Sequence, residues 1–230
     1  MAGFVRWAQQ LQFDRFIEML IIACSSLLCI TIHETSHGLA AYWLGDNTAK
    51  RQGRLTLNPL RHIDIMGLLM MVIAHFGWAK PVPVNMNGFR KPKIGMAVTA
   101  FAGPLSNVFL MLIAAMIRIP VLVLYLRSGS EFLYYLCVFL EYTMILSAGL
   151  AVFNLFPIPP LDGSKVLFSL LPDAAYRKLM RYERYGMIIL AIALFAGILD
   201  APLLYLRSGL LEIANLLVSP LVEVFTVIMR

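Results

Sequence analysis

Five stretches of this 230-residue chain are apolar for about the length of a bilayer crossing, and no other feature restricts its fold as much. They run from Phe16 to Trp43, Ile94 to Leu126, Phe132 to Phe156, Tyr185 to Leu199 and Leu203 to Met229. About 20 consecutive apolar residues cross a membrane as a helix. Composition agrees, with 60% apolar and only 14% charged residues, the balance of a polytopic membrane protein. The expectation is an all-α integral membrane fold of about five transmembrane helices, forming a single membrane-embedded domain over residues 1–230. The first apolar run is followed by no small-residue cleavage pattern, so it is expected to remain in the mature protein.

The stretch Ile65 to His75 is apolar but about half a span long, which suits a re-entrant segment. Charge supports that reading. If the stretch does not cross, 14 of the 19 Lys and Arg residues share one face; if it crosses, the split is 12 against 7. The positive-inside rule thus favours five spans, with the N-terminus outside and the C-terminus in the cytoplasm. The net charge of +6 is a topology signal, and no nucleic-acid partner is expected. Cys24, Cys29 and Cys137 fall in spans at spacings that suggest neither disulfides nor a metal site, so they read as packing residues.

Two loops carry hairpin signals. Gln52-Gly53 in TAKRQGRLTLN and Asn87-Gly88 in WAKPVPVNMNG are turn dipeptides, predicting short membrane-associated β-hairpins. Pro81 and Pro83 would leave one strand edge without donors, whereas Lys80, Val82 and Val84 would present a normal edge opposite. An extended proline-rich loop is the alternative. The polar, basic stretch Pro172 to Arg184 reads as a linker.

The first span carries HETSH. On a helix His33 and His37, four apart, share a face and can reach one metal ion, and Glu34 lies about 100° around from His33. This is the H-E-x-x-H pattern of two imidazole ligands and a general base. Ionisable groups at bilayer depth are costly and usually functional. A catalytic zinc normally takes three protein ligands, and the third must come from elsewhere. Asp162 in FNLFPIPPLDGSK is the strongest candidate: Pro157, Pro159 and Pro160 break the span there, and Gly163 gives the chain room to turn. Broken backbone at that depth belongs inside protein or along a wet cavity. His62 and His75 lie near loops and read as interfacial histidines, and Asp14, Arg15 and Glu18 as interfacial anchors.

HETSH on one span and NLFPIPPLDG on a later one resemble the site-2 protease family of intramembrane zinc metalloproteases. GWAKPVPVN and AGPLSN also resemble segments of compact bacterial members, so the likeness runs from about Ile30 to Leu171. It implies one zinc ion per chain, held by His33, His37 and Asp162, with Glu34 activating water. Asn154 matches an asparagine that contacts the substrate carbonyl or oxyanion, and Asn107 a further position of the family pattern. The implied substrates are membrane-spanning proteins, either tethered regulators or remnant signal peptides, cut within or beside their transmembrane segments. The implied setting is the lipid bilayer of a bacterial cytoplasmic membrane, with the site nearer the cytoplasmic face. Because a substrate helix must unwind before attack, the edge at Val82 and Val84 is a candidate to receive it as an added strand. PDZ and CBS domains, present in many members, have no room here. Two rivals differ in chemistry. A prenyl-protein type protease would take its third ligand from a later glutamate, Glu131 or Glu141. A transporter or scaffold would close a structural metal with four ligands.

Overall fold

The structure is a computed structural model that describes residues 2–67 and 79–229, with side chains described at 14–67, 79–176, 178–179 and 185–225. Its elements are helices: α1 (Ala2–Trp43), α2 (Thr48–Arg51), α3 (Pro92–Ser128), α4 (Glu131–Leu155), α5 (Asp162–Ser169), α6 (Asp173–Phe195) and α7 (Asp200–Met229), with single 3₁₀ turns at Pro59–Arg61 and Met86–Gly88. Among the described residues no strand forms. Among the described residues four helices are long and apolar enough to cross a membrane: Asp14–Trp43, Pro92–Ser128, Glu131–Leu155 and Asp200–Phe225. In the fourth apolar stretch Tyr185–Phe195 is a shorter apolar segment among the described residues, the last part of the 23-residue α6. The fold is all-α and membrane-embedded.

α3 is the central helix. It packs along α4 and α1 and also meets α5 and α7. Between α3, α4 and α7 the core is built on Met111, Ala114, Ala115, Cys137, Leu140, Met144, Ala148 and Ala214. Ala148 and Ala214 have no exposed surface, and such small residues let helices approach closely in lipid. Outward faces remain apolar, as at Phe109, Ile192 and Leu216, which suits hydrocarbon rather than water.

α1 and α4 run side by side through polar contacts. The Ser25 hydroxyl donates to the Phe139 carbonyl at 3.2 Å, and Cys29 Sγ lies 3.1 Å from the Ser147 hydroxyl. Cys29 is thus a buried packing residue, as its place in a span suggests. Near the other end, the Tyr142 hydroxyl donates to Glu18, so this glutamate ties α1 to α4 rather than serving only as an interfacial anchor.

Both predicted hairpins are replaced by other turns. Thr48–Arg51 is helical, and Gly53 at φ +63° ends it, so Gln52-Gly53 closes a helical turn. Asn87-Gly88 falls in a 3₁₀ turn capped by Asn85, whose side chain accepts the Asn87 N–H. Residues 79–85 form no regular element and pair with no strand among the described residues, the outcome the prolines favour. The expected linker is likewise absent: the chain is helical from Asp173, directly after Pro172. The re-entrant stretch is described only at Ile65, Met66 and Gly67; the rest, with His75, lies outside the described residues.

What holds the loop between α1 and α3 is a set of buried polar groups. Asp46, 2% exposed, accepts from the Thr48 hydroxyl at 2.5 Å, the Thr48 N–H at 2.9 Å and the Asn85 N–H at 2.6 Å. Arg54 donates to the carbonyls of Arg61, Lys80 and Pro81. His62, buried, lies 2.9 Å from the Thr56 carbonyl through Nε2 and accepts the Lys80 N–H on its own carbonyl. Burial alone would raise the Asp46 pKa. The bonds from Thr48 and Asn85 outweigh it, with Arg51 adding to them, and hold the carboxyl below its usual range. A depressed folded pKa means that this stabilisation is complete above the unfolded value of about 3.9 and fades as pH falls through the folded one. Asp46→Ala should therefore cost about 1–3 kcal/mol of stability near neutral pH, with the difference from wild type shrinking in acid, by thermal unfolding in detergent.

Candidate metal centre

α1 presents His33 and His37 on one face, and α5 begins at Asp162 directly against them. His33 Nε2 and His37 Nε2 are 3.1 Å apart, and each lies 3.2 Å from Asp162 Oδ2. All three residues are buried. The local sequence explains how Asp162 arrives. α4 ends at Leu155, the proline-rich turn reverses the chain, and Gly163 packs its Cα against the Leu155 carbonyl, where a Cβ would lie 2.1 Å from the oxygen. Only glycine fits that approach.

Behind the two imidazoles lies α3. His37 Nδ1 lies 2.7 Å from the Thr99 carbonyl. A carbonyl only accepts, so Nδ1 carries the proton and Nε2 directs its lone pair at the cluster. His33 Nδ1 lies 3.2 Å from Asn107 Nδ2, and Asn107 Oδ1 is buried without a partner among the described residues. Half a turn of that amide brings Oδ1 onto a His33 Nδ1–H, which relieves the orphaned oxygen and again leaves Nε2 free. Gly103 makes the room: a Cβ there would stand 2.4 Å from His37 Cε1 and 2.7 Å from His33 Cε1.

The donor set fits zinc. A tetrahedral zinc with bonds of about 2.0–2.1 Å separates its ligand atoms by about 3.3–3.4 Å, close to the triangle observed. Two imidazole lone pairs and a carboxylate oxygen this near one another repel unless a cation lies among them. His33, His37 and Asp162 are the one such cluster among the described residues.

The other expected site residues divide. Glu34 is half-buried, and its Oε2 accepts the Val82 N–H at 2.8 Å. Asn107 joins the centre as a support for His33. Asn154 donates its amide to the Leu150 carbonyl at 3.0 Å, one turn back on α4. Val82 is buried and Val84 half-buried on the segment 79–85. The edge expected to be open is engaged there, because the Lys80 and Val82 N–H groups go to His62 and Glu34. Glu141 pairs with Arg118 at 3.1 Å instead of meeting the histidines. Thr99 escaped sequence reading because it acts through its backbone carbonyl, which any residue supplies. Gly103 lay within AGPLSN, but its role becomes visible only against the imidazole rings.

The sequence model of peptidase family M50 matches residues 120–198. A relative from Bacillus subtilis, named "Putative zinc metalloprotease YwhC", is 36% identical over 222 residues, covering 90% of this chain and 99% of the relative. The chain belongs to peptidase family M50, the site-2 proteases. Relatives from Mycolicibacterium smegmatis and Mycobacterium tuberculosis, both named "Putative zinc metalloprotease Rip2", are 29% identical over 189 residues, 79% of this chain and 69% of theirs. No solved structure matches with comparable significance. Family membership makes this M50 protein a zinc-dependent metallopeptidase, and its apolar helices set that chemistry in a membrane.

Two substitutions on α3 test the support of the centre. Gly103→Ala should preserve or raise helicity while abolishing metal binding, because alanine favours the helix but collides with both rings. Asn107→Ala should weaken zinc affinity about 10–100-fold. Zinc content and competition with a chelator read both.

Proposed function

We propose that His33, His37 and Asp162 hold one zinc ion per chain and that Glu34 is the general base, for hydrolysis of peptide bonds within or beside transmembrane segments of membrane-tethered proteins. The observation that carries this reading is the buried triangle of two Nε2 atoms and one carboxylate oxygen, 3.1–3.2 Å on each side, with Glu34 next to His33 in the chain. Zinc held by these three residues would supply a water acidified to a pKa of about 7 and a Lewis acid for the scissile carbonyl.

The protein's own residues do the rest. Glu34 takes the proton of the attacking water and returns it to the leaving amine nitrogen. The Thr99 carbonyl and the Asn107 amide keep both imidazoles in the tautomer that faces the centre. The Asn154 amide, on leaving the Leu150 carbonyl, can donate to the oxyanion that develops on the substrate. The unwound substrate adds along Val82 and Val84 as a strand. Since the Val82 N–H already binds Glu34, the incoming peptide exchanges for the carboxylate and releases the base as it docks.

The placement follows from charge. Five crossings, with α6 supplying the fourth in chain order, put the N-terminus outside and the C-terminus in the cytoplasm of a bacterial cytoplasmic membrane. The centre then lies about 9 Å below the cytoplasmic end of α1, from six residues of helix after His37. The chain works as a single membrane-embedded domain over residues 1–230, on tethered regulators or remnant signal peptides. The rival structural metal site needs a fourth protein ligand, and the cluster among the described residues has three.

Glu34→Gln should retain zinc and lose at least about 10²-fold in cleavage of a reconstituted membrane substrate, whereas His33→Ala and Asp162→Ala should lose both metal and activity. Full cleavage by Glu34→Gln would sink the assignment of the base. Strand addition has its own check: Val82→Pro with Val84→Pro should retain zinc yet cut poorly, and unchanged cleavage would remove that step.

A further inference from the structure

The loop between α1 and α3 contains a cavity that the metal centre does not use. It measures about 340 Å³, and its polar lining is Gln52, Arg54, Arg61 and Lys80, beside Leu60 and Ile63. Among the described residues, three cations and no acid line it. The two acidic residues that the sequence places in residues 44–67 and 79–91 are committed elsewhere: Asp46 accepts from Thr48 and Asn85, and Asp64 accepts the Gly67 N–H at 2.9 Å.

Arg54 forms the inner wall. It is 7% exposed, its two Nη atoms reach only backbone carbonyls, and its Nε is buried without a partner among the described residues. A buried guanidinium with no described carboxylate beside it favours an anion nearby. Arg61, Lys80 and Gln52 are exposed and free to close on one. The surroundings indicate which anion. Leu57, Leu60, Ile65 and Met66 are each more than half exposed, the last two following directly on Asp64. Large apolar side chains around a cationic pocket suit a headgroup whose acyl chains lie alongside.

We propose that this cavity binds the phosphate of an anionic phospholipid in the leaflet next to the loop. Arg61 and Lys80 supply the exposed cations, Gln52 a neutral donor and Arg54 the charge beneath. The site is joined to the proteolytic one. Arg54 Nη2 also holds the Lys80 and Pro81 carbonyls, and the following N–H, that of Val82, binds Glu34. A bound phosphate at Lys80 therefore steadies the segment on which substrate is proposed to dock.

The full chain is incubated with equal amounts of phosphatidylglycerol and phosphatidylcholine, and retained lipid is weighed by native mass spectrometry. Wild type should retain phosphatidylglycerol preferentially. Arg61→Gln with Lys80→Gln should lower that retention roughly tenfold or more, at unchanged zinc content. Lys50→Gln with Arg51→Gln, basic residues outside the cavity lining, should leave it intact. Equal retention of the two lipids, or equal losses in the two double variants, would overturn the proposal. Displacement of the lipid by excess inorganic phosphate would also overturn it, by making the site one for a soluble anion.

Discussion

Two imidazole lone pairs and a carboxylate oxygen held about 3 Å apart, away from water, repel one another until a cation sits among them. The architecture serves to maintain that unfavourable arrangement. α1 supplies both histidines from one face, and a chain reversal stacked on Leu155 delivers Asp162. α3 contributes no ligand atom, yet it decides how the ligands point. Its Thr99 carbonyl and Asn107 amide orient the rings, and its Gly103 leaves the space in which they meet. α3 thus orients the candidate ligands while packing against the helices that carry them.

The loop beyond α1 follows a different physical rule. Its described residues form no ladder of strand hydrogen bonds, and several of their backbone groups bond to side chains instead. Asp46 takes N–H groups, Arg54 takes carbonyls, and Glu34 takes the N–H of Val82. The proposed general base is thereby part of the support of the segment that faces it. A single hydrogen bond links the state of the loop to the availability of the Glu34 carboxylate, and the substrate pairing proposed on that segment would compete for the same donor. In water such an exchange would be nearly neutral; in a partly desolvated site each unsatisfied group is costly, so exchange is favoured over simple breakage.

Some of this was legible before any coordinates. The spans follow from apolar run length, because hydrocarbon admits little else. The cluster of candidate metal ligands follows from HETSH, where helical spacing alone places two imidazoles together, and from the aspartate after a proline-broken span. The hairpins failed for a local reason. Gln52-Gly53 and Asn87-Gly88 can close helical turns as readily as strand turns, and the choice depends on what the flanking residues pair with. The prolines deny that partner on one edge, and Glu34 and His62 occupy the other.

By itself, the sequence determined that this is a helical membrane protein with two histidines and an aspartate able to share a metal, since run length and a four-residue spacing need no tertiary context. Only the tertiary structure decided which groups orient those ligands, that Glu34 is bound to the Val82 N–H, and that Arg54, Arg61 and Lys80 line one cavity. Each of these depends on contacts between segments distant in the chain, many of them through backbone atoms. A backbone carbonyl or N–H carries no residue identity from which such a contact could be read.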